Sequence, residues 1–257
     1  MKKIAILNQK GGTAKTTTTI NLAAGLALLK HKVLVIDLDP QANATTGFGL
    51  PDNLEKTIYE VFKSLASKGS LTISDTINKI NDRIDIVPAS LDLSAVEMEL
   101  SQIPGRDLLL RRAIKDLDYE YVLFDCPPNL SFLTVNALAA TDEVLVPTQA
   151  EKFPVSGMIK LMATIELITE LYNSDLNLLG IVVTQYSQTT LHRETYDMIK
   201  EIYKDQIMNT IIRKNVHLAE SQSFGQDIFT YKEDSNGAED YLNLTREVLE
   251  RVARVKT

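Results

Sequence analysis

Eight consecutive residues near the start of the chain, Lys10, Gly11, Gly12, Thr13, Ala14, Lys15, Thr16 and Thr17, have the types and the order to hold a phosphate chain. Gly11 and Gly12 let backbone N–H groups approach phosphate oxygens with no Cβ in the way. Lys15 brings a full positive charge to the β- and γ-phosphates. The Thr16 hydroxyl stands where such loops ligate Mg2+, and Thr17 has a hydroxyl to offer the α-phosphate. A helix opening at Thr16 adds its N-terminal partial charge. Two glycines between a strand and a helix can also be a plain tight turn; the Lys-Thr pair that follows argues for the phosphate site. Ala14 departs from the general loop G-x-x-x-x-G-K-[ST], which has glycine at that place. If the position requires a left-handed backbone, alanine costs about 1–2 kcal/mol there.

Such a loop works only at the end of a strand, and the chain supplies strands. Continuous apolar runs occupy 3–8, 32–37, 121–125, 143–147 and 178–184, with weaker ones at 84–89 and 207–212. Continuous rather than alternating runs are expected of parallel strands buried on both faces. Between them, helical spacing appears over 16–30, 55–67, 91–117, 131–140, 155–173, 190–204 and 238–255. This alternation predicts an α/β fold, a doubly wound and mostly parallel sheet with helices on both faces. No repeat or linker interrupts it, so one domain over 1–257 is expected. Ligands bind beyond the carboxyl ends of the strands in such sheets. Those ends carry the loop after the first run, Asp37 after the second and Asp125 after the run 121–125.

Composition sets further bounds. Of 257 residues, 44% are hydrophobic and 24% charged, as in an ordinary globular protein able to bury a sizeable core. The single cysteine, Cys126, excludes a disulfide framework and a clustered-thiolate metal site within one chain. The charged start Met-Lys-Lys is unlike a signal peptide and no apolar run is long enough to span a bilayer, so a cytoplasmic location is expected. A net charge of −7 argues against a polyanion coat. Its distribution is uneven, however: Lys2, Lys3, Lys10, Lys15, Lys30 and Lys32 precede the first acid, Asp37. These are either surface lysines or a positive field around bound phosphates.

The motifs together resemble the ParA/Soj-type ATPases of the deviant Walker A group that also includes MinD. The likeness is carried by residues 8–27 for the loop and first helix, by "VLVIDLDPQANATTGFG" (33–49) and by the stretch 121–151 that contains "FDCPPN". Residues 209–229 match a carboxyl-terminal family stretch less faithfully. The pattern K-G-G-x-x-K-T, Lys10 to Thr16, accommodates Ala14. The resemblance implies ATP and Mg2+ as cofactors. It gives Asp39 the attacking water, Asp37 a place in the Mg2+ shell and Asp125 a metal-bound water. Lys10 would reach across a homodimer to the partner's phosphates. Asn215, with Arg213, would contact adenine, although this chain has Arg213-Lys214-Asn215 where the family usually has Pro-Arg-Asn.

The function implied is a switch that segregates chromosomal or plasmid DNA: an ATP dimer binds double-stranded DNA nonspecifically, and a ParB-type centromere-binding protein stimulates its release by hydrolysis, which is slow alone. Candidate DNA contacts are Arg193, Lys200, Lys204, Arg213 and Lys214. Glu194, Asp197, Glu201 and Asp205 lie among them and leave the stretch barely basic. The alternative is a MinD-like membrane-positioning ATPase, which needs an amphipathic tail. Tyr241, Leu244, Val248, Val252 and Val255 do recur helically, but a terminal helix packed on the domain explains them, and no membrane contact is expected. An iron–sulfur reductase on the same fold would need two cysteines per subunit.

Overall fold

The computed structural model describes residues 1–150 and 154–254. Its strands are β1 (Lys2–Ile6), β2 (Val33–Asp37), β3 (Asn78–Lys79), β4 (Ile84–Val87), β5 (Tyr121–Asp125), β6 (Glu143–Gln149), β7 (Asn177–Tyr186) and β8 (Ile207–Arg213). The helices are α1 (Lys15–Leu28), α2 (Asn43–Gly47), α3 (Ile58–Ser67), α4 (Val96–Glu99), α5 (Leu109–Ala113), α6 (Phe132–Ala140), α7 (Pro154–Leu171), α8 (Thr190–Tyr203), α9 (Val216–Ser223), α10 (Ile228–Tyr231) and α11 (Asn236–Arg254).

The strands form one sheet in the order β3-β4-β2-β5-β1-β6-β7-β8. Every pairing is parallel except that of the two-residue β3 with β4. All five residues of β2 and of β5 are buried, which is why their sequences do not alternate. One core lies under α3, α5, α6, α7 and α8, with Phe62, Leu110, Leu138, Leu161 and Ile199 among its members. The other lies under α1 and α11, with Ile20, Leu22, Tyr241, Leu244 and Val248. This is the expected doubly wound fold.

Two expectations need correction. The spacing over 91–117 does not make one helix: two 3-10 turns (Leu91–Ala95 and Arg106–Leu108) alternate with the short α4 and α5. Pro104 and Gly105 break it, Gly105 at φ 71°. The fragments are held by tertiary bonds instead, since Asn136 accepts from the Leu110 amide at 3.1 Å and donates to the Arg106 carbonyl at 3.1 Å. The helix expected from residue 55 begins at Ile58, where Thr57 and Glu60 form a reciprocal cap. The short elements β3 and α2 have no signal of their own in the apolar pattern.

The terminal helix is spent on the domain. Tyr241, Leu244, Val248 and Val252 are all buried against the second core. Val255 and Lys256 lie outside the described residues. Among the described residues no helix is long and apolar enough to cross a membrane.

Candidate nucleotide site

The loop runs from the end of β1 to the start of α1, with β5 and β6 on either side of β1. Gly12 takes φ 75° and Ala14 takes φ 66°, ψ 33°. Position 14 therefore does adopt the left-handed backbone that glycine favours, and alanine holds it at a cost of about 1–2 kcal/mol. As the residue that opens α1, Ala14 has no side chain to cap the first turn, and that turn contains no acid. The first N–H groups of the helix are left to an external anion.

Lys15 is buried, its Nζ 3.5 Å from the Lys10 carbonyl. Burial lowers its pKa, while the nearby charges of Asp125 and Asp39 pull the other way. Thr16 donates to Asp125 Oδ2 at 2.7 Å, and Thr19, one turn further along α1, donates to Asp125 Oδ1 at 2.9 Å. Asp37 and Asp125 are register partners at the carboxyl ends of β2 and β5. Asp37 accepts from the Thr45 amide at 2.9 Å, the Thr45 hydroxyl at 2.7 Å and the Asp39 amide at 3.1 Å. Burial pushes both carboxyls above the usual carboxylate range, and the neighbouring Asp125 raises Asp37 further. Two buried carboxyls side by side, with a threonine hydroxyl and a lysine in front of them, fit a divalent cation: a dication would let both ionise.

Asp39 lies in front of this pair, its Oδ1 accepting from the Gln41 amide at 3.0 Å. It lines an open cleft of about 610 Å³ together with Gly11 to Thr17, Asn43 from α2 and Gln222 from α9. A larger cleft, about 830 Å³, lies at the opposite end of α1 around Leu28, Phe229 and Leu242, away from the loop. Cys126, next to Asp125, is buried, and burial drives its thiol pKa upward, as for a small core residue.

Lys10 is exposed at the outer edge of the loop. Arg213 and Asn215 are not in the cleft wall. The Arg213 guanidinium is bidentate on Asp240 and also reaches Glu239 at 2.6 Å, partners that hold it firmly charged. Asn215 caps α9 through the His217 amide at 2.9 Å. It is the far end of α9 that meets the loop, where Gln222 Oε1 accepts from Thr17 at 3.3 Å. Arg193 and Lys200 are exposed on α8, Lys204 follows it and Lys214 follows β8. Lys200 and Lys204 line a shallow groove with Arg251 and Arg254, two α11 residues that sequence reading did not place beside them. Thr19, Thr45 and Gln222 were also missed. Thr19 had a signal, its i+4 relation to Lys15; the other two depend on packing between distant segments.

A doubly wound parallel sheet with a glycine–lysine–threonine loop after its first strand defines a P-loop nucleotide-binding protein. Comparison with known proteins agrees. A family model described as an AAA domain matches residues 1–178. The chromosome-partitioning ATPase Soj of Thermus thermophilus is 41% identical over 253 residues, covering 98% of this chain and 97% of that protein. The chromosome partitioning protein ParA of Myxococcus xanthus is 40% identical, covering 96% and 88% respectively. Among solved structures, cobyrinic acid a,c-diamide synthase from Mycobacterium smegmatis with a bound ATP analogue and magnesium superposes with a TM-score of 0.85 at 31% identity, over 98% of this chain and 96% of that one. The chain belongs to the ParA/Soj family of ATPases.

Proposed function

We propose that this protein is an ATP-dependent dimerising switch that partitions chromosomal or plasmid DNA. The observation that carries the reading is the convergence of Lys15, Thr16 and Asp39 on one cleft, in front of the buried pair Asp37 and Asp125. Amides of residues 11–17 and the Lys15 ammonium take the phosphates of ATP. Thr16, with Asp37 and Asp125 through water, would hold Mg2+, which when bound neutralises charge on the β- and γ-phosphates. Asp39 orients the attacking water, so its removal slows hydrolysis more than binding. Lys10 extends from the loop edge to the phosphates of a second subunit, and an added cation of this kind is worth about 10³–10⁵ in rate in related phosphoryl transfers. Asn215, with Arg213, is assigned to the adenine side through α9.

The ATP dimer binds duplex DNA without sequence preference through Arg193, Lys200, Lys204 and Lys214. Arg213, committed to Asp240, is the weakest of the candidate contacts. A ParB-type centromere-binding protein accelerates hydrolysis and release. Membrane positioning is disfavoured by the burial of the α11 apolar face. Phosphate-dominated binding has a steep salt dependence. Anisotropy of a labelled nonspecific duplex, read with ATP and with ADP at about 50 and 200 mM salt, tests the DNA step. Retention with ATP alone, lost at the higher salt, is expected. Binding indifferent to nucleotide and salt, or no binding at all, contradicts it.

A further inference from the structure

The carbonyl oxygen of Gly12 accepts two side-chain hydrogen bonds, from Gln149 Nε2 at 2.8 Å and from Gln185 Nε2 at 2.9 Å. The next carbonyl, that of Thr13, accepts from the Thr184 hydroxyl at 3.0 Å. A trans peptide carries its C=O and N–H on opposite sides. Tying the Gly12 oxygen to the ends of β6 and β7 therefore turns the Thr13 N–H the other way, and tying the Thr13 oxygen does the same for the Ala14 N–H. Both residues line the cleft in front of Lys15.

Gly12 is also free of the steric limits that a side chain would impose on its backbone. It sits at φ 75°, a region glycine enters freely, and a Cβ at this position would meet no heavy atom within 4 Å, so packing at its Cα adds no restraint to the two hydrogen bonds on its carbonyl. A reversed peptide would aim a carbonyl oxygen, rather than an N–H, at a bound anion. One of the donors that oppose this, Gln185, is itself placed by unusual backbone. Gln185 has φ 53°, and the register of β7 against β8 shifts between Val183 and Tyr186. Such an irregularity re-aims a side chain, and strain of this kind persists where surrounding structure enforces it. Gln149 is the last residue of β6, beside β1 and the loop.

We propose that Gln149 and Gln185 are positioning residues for nucleotide binding: by holding the Gly12 carbonyl out of the cleft they keep the Thr13 amide directed at a phosphate oxygen of the nucleoside diphosphate moiety. The two glutamines act through the Gly12–Thr13 peptide; Gln185 also lines the cleft itself, whereas Gln149 stands behind the loop at the end of β6. This clamp rests on the nucleotide-site reading above and adds to it a device that sets affinity.

Calorimetric titration with Mg-ADP tests it on the full-length protein, comparing wild type, Gln185→Leu and Gln149→Leu/Gln185→Leu, with the Thr13 amide followed by 15N NMR and the ligand-free melting temperature as control. Loss of one ordinary hydrogen bond corresponds to roughly 3- to 10-fold in Kd. The single variant is expected to weaken in that range and the double variant further. In wild type the Thr13 amide proton moves downfield on Mg-ADP binding, and in the double variant it does not, while the ligand-free melting temperature of Gln185→Leu falls by no more than the about 2–4 °C that one hydrogen bond accounts for. If the double variant does not fold, the Thr13 amide of the exposed Gln185→Leu variant decides the matter: a smaller downfield shift than in wild type is expected from the clamp, and an unchanged shift overturns it. Variants that bind Mg-ADP within twofold of a binding-competent wild type, or that lose only thermal stability, overturn the clamp and leave the nucleotide site standing. A wild type that binds no Mg-ADP overturns both.

Discussion

Ala14 carries a measurable strain. Its left-handed backbone costs about 1–2 kcal/mol, whereas glycine there would lose about 0.5–1 kcal/mol through the entropy of the unfolded chain. The difference predicts that Ala14→Gly stabilises the ligand-free protein by about 0.5–1 kcal/mol, read as a higher urea midpoint at unchanged m-value; a lower midpoint contradicts the assigned strain. Glu143 is a second residue out of balance. It is buried at the start of β6, at the opposite end of that strand from the loop, and neither carboxyl oxygen has a hydrogen-bond partner among the described residues. Burial raises its pKa from 4.5 to about 7, against a pull from Lys2 and with a small push from Asp142. The folded state thus holds the proton more tightly than the unfolded chain. This contribution to stability is complete below about pH 4.5 and fades as pH rises through about 7. Glu143→Gln should remove that slope, so that melting temperatures of the two proteins converge in acid and separate, with the variant higher, by pH 8. Parallel curves would contradict it.

At the scale of elements, legibility followed burial. The strand runs could be read directly because β1, β2, β5 and β6 are covered on both faces, and the loop could be read because its chemistry is local. Residues 91–117 could not, since helical spacing continues through Pro104 and Gly105 while Asn136 sets the true path. Helix α2 is equally hidden: it begins after Ala42 at φ 52°, and Thr45 is fixed by its bonds to Asp37. The glutamine clamp depends on a strand irregularity at Gln185 that no period reveals. One junction of this hidden kind has a sharp consequence. Gly49, just after α2, and Gly225, just after α9, meet backbone to backbone, and a Cβ on Gly225 would lie 2.6 Å from the Gly49 Cα. Gly225 is also at φ 65°. Strain and overpacking together predict that Gly225→Ala destabilises by about 2–4 kcal/mol in a chemical melt; a change under about 0.5 kcal/mol would mean that the two segments move apart freely. Because α2 follows Asp39 and α9 reaches Thr17, the same junction ties the acidic side of the cleft to its nucleotide side.

At the scale of the molecule, the sheet order explains why residues as distant in sequence as Thr16, Asp37 and Asp125 meet. β1 lies next to β5, and β5 lies next to β2, so three strand ends deliver the loop and two carboxyls to one place. The chain that completes the other side, β6 to β8, brings the glutamines to the loop and the basic residues of α8 to the surface. Lys10 stands exposed in the loop, and the dimeric switch proposed above would direct it to the phosphates of a second subunit. Sedimentation velocity of wild type and Asp39→Ala with Mg-ADP and with Mg-ATP tests that claim most directly. Expected are monomers with Mg-ADP, a dimer with Mg-ATP, and an Asp39→Ala dimer that outlasts the wild-type one because ATP is not consumed. Monomers of both proteins with either nucleotide would contradict it.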